Sequence, residues 1–197
     1  LDCDQWIAAA KTAGARYAVL VCKHHDGFAN WPSRFSDYSV AQSPWKDGKG
    51  DVVREFTDAC RRRGLKVGLY YSPAQWGGSV SFAEERAYDD YFISQVGELL
   101  TNYGKIDYLW FDSCGSDKHE YDRPRILSAI RSLQPEILIF EMWAPDTRWI
   151  GNEDGYADLS NSNAPDGARF LPAECDCMLR DTWFDCEPNE ASIKTAD

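Results

Sequence analysis

Two hydrophobic rhythms alternate along the chain. Segments with apolar residues at helical spacing give way to short unbroken apolar runs, and the exchange occurs four times before residue 150. CDQWIAAAKTA (3–13) predicts a helix that stops at Gly14, and RYAVLVCK (16–23) predicts the first strand. DVVREFTDACRRRG (51–64) reads as a helix opened by Asp51 and closed by Gly64, and LKVGLYYS (65–72) as the second strand. FAEERAYDDYFISQVGELLTNYG (82–104) predicts a long helix ending at Gly104, followed by the strand KIDYLWFDS (105–113). RPRILSAIRSLQ (123–134) and EILIFEMW (136–143) complete a fourth pair. Beyond residue 150 the rhythm dissolves into loops rich in Asn, Asp, Gly and Pro.

Helices and strands in alternation are the pattern of parallel strands joined by crossover helices. Such units build either an open doubly wound sheet or a barrel. No GxGxxG or Walker sequence follows any strand, so the phosphate loop of nucleotide-binding open sheets is missing. Each strand ends instead in its own polar group: KHHD after the first, YYS after the second, WFDS after the third and EMW after the fourth. Chemistry drawn from several parallel strand ends belongs to a (β/α)8-like TIM barrel. A whole barrel takes roughly 250 residues. The expectation for residues 1–197 is therefore an α/β chain forming a partial barrel that lacks the first and last strands.

Composition narrows the partners. With 44% hydrophobic and 14% aromatic residues, 197 residues can bury one sizeable core. Thirty-two acidic against 21 basic residues give a net charge of −11, which disfavours a nucleic-acid partner. No apolar run approaches the length of a membrane span, and residues 1–16 lack the pattern of a signal peptide. The seven cysteines contain no CxxC pair and read mainly as small buried hydrophobes. Only Cys175, Cys177 and Cys186 crowd closely enough to suggest a disulfide.

The strand alternation sorts the candidate chemistry by face. If Asp112 points inward, so do Trp110 and Tyr108, while Leu109 and Phe111 face the helices; Tyr70 groups with Gly68 and Ser72, and His24 with Cys22 and Leu20. A carboxylate beside an indole, a phenol and imidazoles suits a sugar, with aromatics on its C–H face and imidazoles on its hydroxyls. His24, His25 and Asp26 with Asp112 also have the donor types of a metal site. Adjacent strand residues point to opposite faces, however, which makes His24 and His25 awkward co-ligands unless the strand has already ended; no metal and no other cofactor is expected. Trp31 and Trp149 read either as platforms for the rest of a glycan or as structural caps.

KHHDGFANWPS, GLKVGLYYS, YGKIDYLWFD and RWIGNEDGY resemble, in that order, segments of the α-L-fucosidases of glycoside hydrolase family 29. The resemblance runs from about residue 5 to about residue 190. It implies a (β/α)8-like catalytic barrel followed by a β-sandwich lying beyond this chain, with retaining exo-hydrolysis of terminal α-L-fucose. Asp112 matches the nucleophile and Glu153 the general acid/base. His24, His25, Tyr70 and Trp110 match fucose-binding positions, and Trp31 is added as a substrate contact. Retention implies carboxyls roughly 5–5.5 Å apart. LPAECDCMLRDTWF adds a likeness to the α-1,3/1,4 branch, so fucosylated oligosaccharides or glycoconjugates are the expected partners. The resemblance also implies a secreted, periplasmic or lysosomal setting. The other functional expectation is an inactive fucose-binding or structural fragment of such an enzyme.

Overall fold

The computed structural model describes residues 1–77, 80–82, 85–157, 170–180 and 182–183. They fall into two compact units, Leu1–Pro145 and Asp146–Asp197. The first contains helices α1 (Cys3–Thr12), α2 (Val52–Arg63), α3 (Glu85–Asn102) and α4 (Arg123–Leu133). These alternate with strands β1 (Tyr17–Lys23), β2 (Lys66–Tyr71), β3 (Tyr108–Phe111) and β4 (Leu138–Phe140), all parallel in the order β1-β2-β3-β4. An α/β chain with a parallel sheet is thus established. Among the described residues no helix is long and apolar enough to cross a membrane.

Local chemistry sets the helix ends. Asp2, Asp51 and Asp122 each accept a backbone N–H from the first turn of α1, α2 and α4. Gly64 ends α2 in the left-handed conformation, and its N–H returns to the carbonyls of Arg61 and Cys60. Leu69, Leu109, Phe111 and Ile139 bury one face of the sheet against Phe56, Phe92, Leu99, Ile126 and Ile130 of the helices.

The fourth strand is shorter than the apolar run predicts. It stops at Phe140 because Glu141 and Trp143 both take positive φ, 63° and 65°, which an extended ladder cannot hold. The first strand carries a second departure. Val21 pairs with Tyr70 and Lys23 with Tyr71, so one residue is absorbed in an irregularity. The Asn30 amide and backbone N–H bind the Val21 and Cys22 carbonyls at 2.9 Å each. As a result Cys22 and Lys23 are both buried on the helix side, and His24 comes round to the side of Tyr70. The expected grouping of His24 with Cys22 and Leu20 is therefore wrong, because strict alternation does not survive the extra residue.

Lys23 is wholly buried, with Nζ donating to Gln75 Oε1 at 3.0 Å and lying 4.4 Å above the Tyr71 ring. Burial pulls its pKa down to about 7, while Asp26 opposes the shift. Between pH 7 and about 10.5 the unfolded chain therefore holds a proton that the folded one has shed, and stability contributed by this site rises with pH across that window. Replacing Lys23 with Met should remove the dependence. Denaturant titrations of wild type and Lys23→Met at pH 7 and pH 10 should show wild type gaining on the variant by a few kcal/mol, on the order set by a shift of this size; parallel curves would contradict the buried amine.

Candidate active site

Parallel register lays one row of rings across the sheet. Val21, Tyr70, Trp110 and Phe140 share a level, and beside them Trp110 stacks on Tyr70 at 5.3 Å and on Phe140 at 4.2 Å between centroids. The His24 ring continues the row, stacked nearly parallel to Tyr70 at 5.7 Å and 3°. Gly68 keeps the row close: a Cβ there would come within 2.7 Å of Val19 Cγ2 on β1.

Asp112 emerges just beyond the C-terminal end of β3. Its Oδ2 accepts the Tyr70 hydroxyl at 2.5 Å, and its Oδ1 accepts the Cys114 backbone N–H at 2.9 Å. Burial and the neighbouring carboxylate push the Tyr70 phenol far above its ordinary pKa, so it stays a donor at any working pH. His25 Nε2 lies 3.5 Å from Asp112 Oδ2, with side-chain exposures of 6% and 23%. Nδ1 of the same ring is 2.5 Å from Ser72 Oγ. Burial lowers the pKa of His25, while Asp112 pulls in the opposite direction.

The two histidines do not diverge as strand alternation predicts. The strand ends at Lys23, and their rings sit 4.3 Å apart. Ligand-type atoms of His24, His25 and Asp112 all fall within 4.8 Å of one another, which makes this trio the grouping to test for a metal.

Trp31 is a correction. Instead of offering a platform it is 1% exposed, with its indole N–H donating to Glu98 Oε2 at 2.9 Å. The Ser33 hydroxyl at 2.8 Å and the Arg34 backbone N–H at 2.9 Å also donate to the Glu98 carboxylate. A polar anchor on α3 therefore holds Trp31 and Ser33 of the NWPSR turn in the core. The aromatic at the rim is Trp76, 63% exposed and 4.5 Å from the His25 ring. It was missed because it follows β2 within a proline-containing loop that carries no periodic signal. Ser72 was grouped with Tyr70 but given no role. Glu141 accepts the Ser113 hydroxyl at 2.8 Å, next to a cavity of about 450 Å³ walled by Trp143 and Tyr121.

The second unit contains a small parallel pair, β5 (Arg148–Trp149) with β6 (Ala173–Glu174). Glu153 is exposed on a turn between Gly151 and Gly155, both at positive φ. The turn is tight: a Cβ at Gly155 would come within 2.5 Å of Cys177 Cβ, and one at Gly151 within 2.7 Å of Cys175 Sγ. The Glu153 carbonyl accepts from Met178 N at 3.2 Å, and the Trp149 indole donates to Asp176. Cys175 and Cys177 are free thiols, whereas Cys186 lies outside the described residues.

A carboxylate at a parallel-strand end, ringed by imidazoles and stacked aromatics, defines a candidate active site on an α/β scaffold. The chain belongs to the alpha-L-fucosidase family, whose sequence profile matches residues 1–196. It is 38% identical to alpha-L-fucosidase 1 of Arabidopsis thaliana over 208 residues, covering 93% of this chain and 41% of the relative. A solved glycoside hydrolase 29 family member from an unknown rumen bacterium superposes with a TM-score of 0.85 at 36% identity, covering 98% of this chain and 41% of that one. Alpha-L-fucosidase isoenzyme 1 from Paenibacillus thiaminolyticus gives 0.80 at 31%, covering 98% and 52%. The chain thus spans about two-fifths of the length of the curated plant relative it matches.

Because burial lowers the His25 pKa and Asp112 raises it, the ring should titrate below the usual imidazole value of about 6.5. Asp112→Asn should move it lower still. A histidine titration followed by NMR measures both, and a rise on removing the carboxylate would contradict the geometry.

Proposed function

We propose that the protein hydrolyses terminal α-L-fucose from fucosylated glycans with retention of configuration, at a pocket formed by the C-terminal ends of β1–β4 as part of a (β/α)8-like barrel. The observation that carries this reading is the Asp112 carboxylate, held by Tyr70 and the Cys114 N–H and faced by His25 in a chain of this family. Both oxygens are fixed, so the group is aimed before substrate arrives. In this reading Asp112 attacks the anomeric carbon and forms a glycosyl-enzyme. Glu153 gives its proton to the leaving oxygen, then takes one from the water that hydrolyses the intermediate. Tyr70, Trp110, His24 and His25 contact the fucose, and Trp76 takes the rim position.

The α-1,3/1,4 preference rests on RWIGNEDG and LPAECDCMLRDTWF. A more distant solved relative, AlfC at 28% identity and TM-score 0.60, is described in complex with Fuca(1,6)GlcNAc, so paired assays on 1,3/1,4- and 1,6-linked disaccharides decide between the linkages. We place the protein in a secreted, periplasmic or lysosomal compartment on the same resemblance.

The two carboxylates have separable kinetic signatures. Asp112→Ala should abolish turnover of every fucoside, with partial rescue by azide attacking from the vacated side. Glu153→Ala should cost about 10²-fold or more on natural glycans, and much less in the first step with an activated aryl fucoside. Equal losses on both substrate types would remove Glu153 as the acid. A chain that binds fucose while wild type turns over no fucoside would favour the alternative, a fucose-binding fragment.

The reaction proposed is metal-free. Both Asp112 oxygens already accept protein donors, and His25 Nδ1 is committed to Ser72, so most of the donor atoms that a metal would need are engaged within the protein. Exhaustive dialysis against EDTA should leave activity unchanged; a loss restored by zinc would make the trio a metal site.

A further inference from the structure

Ser72 follows β2 by one residue and is wholly buried, and its backbone N–H donates to the Lys23 carbonyl at 2.9 Å. Its hydroxyl has two close neighbours: the Ala74 carbonyl at 2.7 Å and His25 Nδ1 at 2.5 Å. A serine hydroxyl carries one proton, and a carbonyl can only accept. The proton therefore goes to Ala74, and the Ser72 oxygen meets Nδ1 as an acceptor. Nδ1 must carry the hydrogen. In the neutral ring this leaves Nε2 bare, and Nε2 is the atom 3.5 Å from Asp112 Oδ2.

Asp112 Oδ2 is itself an acceptor and already takes the Tyr70 hydroxyl. Two acceptors thus face each other across the mouth of the pocket. A donor placed between them relieves the opposition, and a sugar hydroxyl is such a donor. The ring is not free to exchange its nitrogens by turning over. The Trp76 backbone N–H fixes the main chain at the His25 carbonyl at 2.6 Å, and the His24 and Trp76 rings pack against the imidazole at 4.3 and 4.5 Å.

We infer that Ser72 is a positioning residue that fixes His25 as its Nδ1–H tautomer, so that Nε2 accepts a hydroxyl of the bound sugar and does not donate to the Asp112 carboxylate. The second half rests on the proposed roles of Asp112 as nucleophile and His25 as sugar contact; the first does not. The opposite tautomer would aim an N–H at Oδ2 and tie up electron density that the carboxylate needs for attack on the anomeric carbon. A serine that only filled space would leave the tautomer to chance.

The test uses the full-length protein with 15N-labelled histidine, at a pH where His25 is neutral. Wild type should show a bare, pyridine-type Nε2 and a protonated Nδ1. In Ser72→Ala the acceptor is lost, and the ring should move to the Nε2–H form facing Asp112. On an aryl fucoside kcat/KM should fall about tenfold, the scale of one buried hydrogen bond, with kcat carrying more of the loss than KM. Ser72→Thr keeps the hydroxyl and should restore both the spectrum and the rate. An Nε2–H ring in wild type overturns the inference, whatever the variants do. So does a Ser72→Ala ring that keeps the Nδ1–H tautomer. The tautomer is read without substrate. Absence of fucoside turnover by wild type would therefore overturn the functional reading and leave the tautomer assignment standing.

Discussion

The site depends on the register of the parallel strands. Strands in a sheet lie about 4.8 Å apart, close to the distance at which aromatic rings stack. Residues at one register level on the same face are then forced into a row, and here the row runs through Tyr70, Trp110 and Phe140. A slip of one residue in any strand would turn its ring into the helix layer. Asp112 stands two residues beyond Trp110 and reaches Tyr70 on the adjoining strand only because that register holds. The carboxylate's position is thus a property of the whole sheet.

Buried polar fasteners maintain the loops that complete the pocket. Lys23 ties the end of β1 to Gln75, and Tyr88 donates to the Pro73 carbonyl at 2.5 Å, so α3 and β1 together grip the segment that bears Ser72 and Trp76. Glu98 gathers the NWPSR turn, and His119 bonds both the Phe82 carbonyl and Asp89, joining the loop after β3 to α3. Each group would be costly to bury alone and is kept by partners on another element. Removing one partner would leave the other unsatisfied, so these contacts link the loops to the integrity of the core. Their shared element is α3, a helix that supplies no side chain to the pocket among the described contacts.

Much of this was legible in the sequence, and the failures have identifiable causes. Helix caps at Asp51 and Gly64 and the apolar runs of the four strands predicted the order of elements, because caps and burial act locally. The KHHD and WFD strand ends marked His25 and Asp112, which do meet. Alternation misplaced His24 because the irregularity between Val21 and Lys23 is set by Asn30, seven residues past the strand. Trp31 turned inward, and Trp76 carried no signal, for a similar reason. Whether a loop tryptophan faces solvent or core depends on a distant acceptor, and Glu98 supplies one to Trp31. EILIFEMW looked like one strand because apolar composition carries no record of the left-handed turn at Glu141. The tautomer inferred for His25 is further still from sequence, since it follows from a single hydroxyl that gives its proton to the Ala74 carbonyl and meets Nδ1 as an acceptor.

The central claim is that Asp112 is a nucleophile aimed by its neighbours and not merely a carboxylate in a pocket. Incubating the full-length protein with a 2-deoxy-2-fluoro-fucosyl fluoride, which forms the glycosyl-enzyme quickly and releases it slowly, followed by proteolysis and peptide mass mapping, reads the attacking atom directly. The account predicts one fluorofucosyl adduct per chain, on Asp112 in the peptide containing YLWFDS. An adduct on any other residue, or fluoride release with inversion and no adduct, would contradict it.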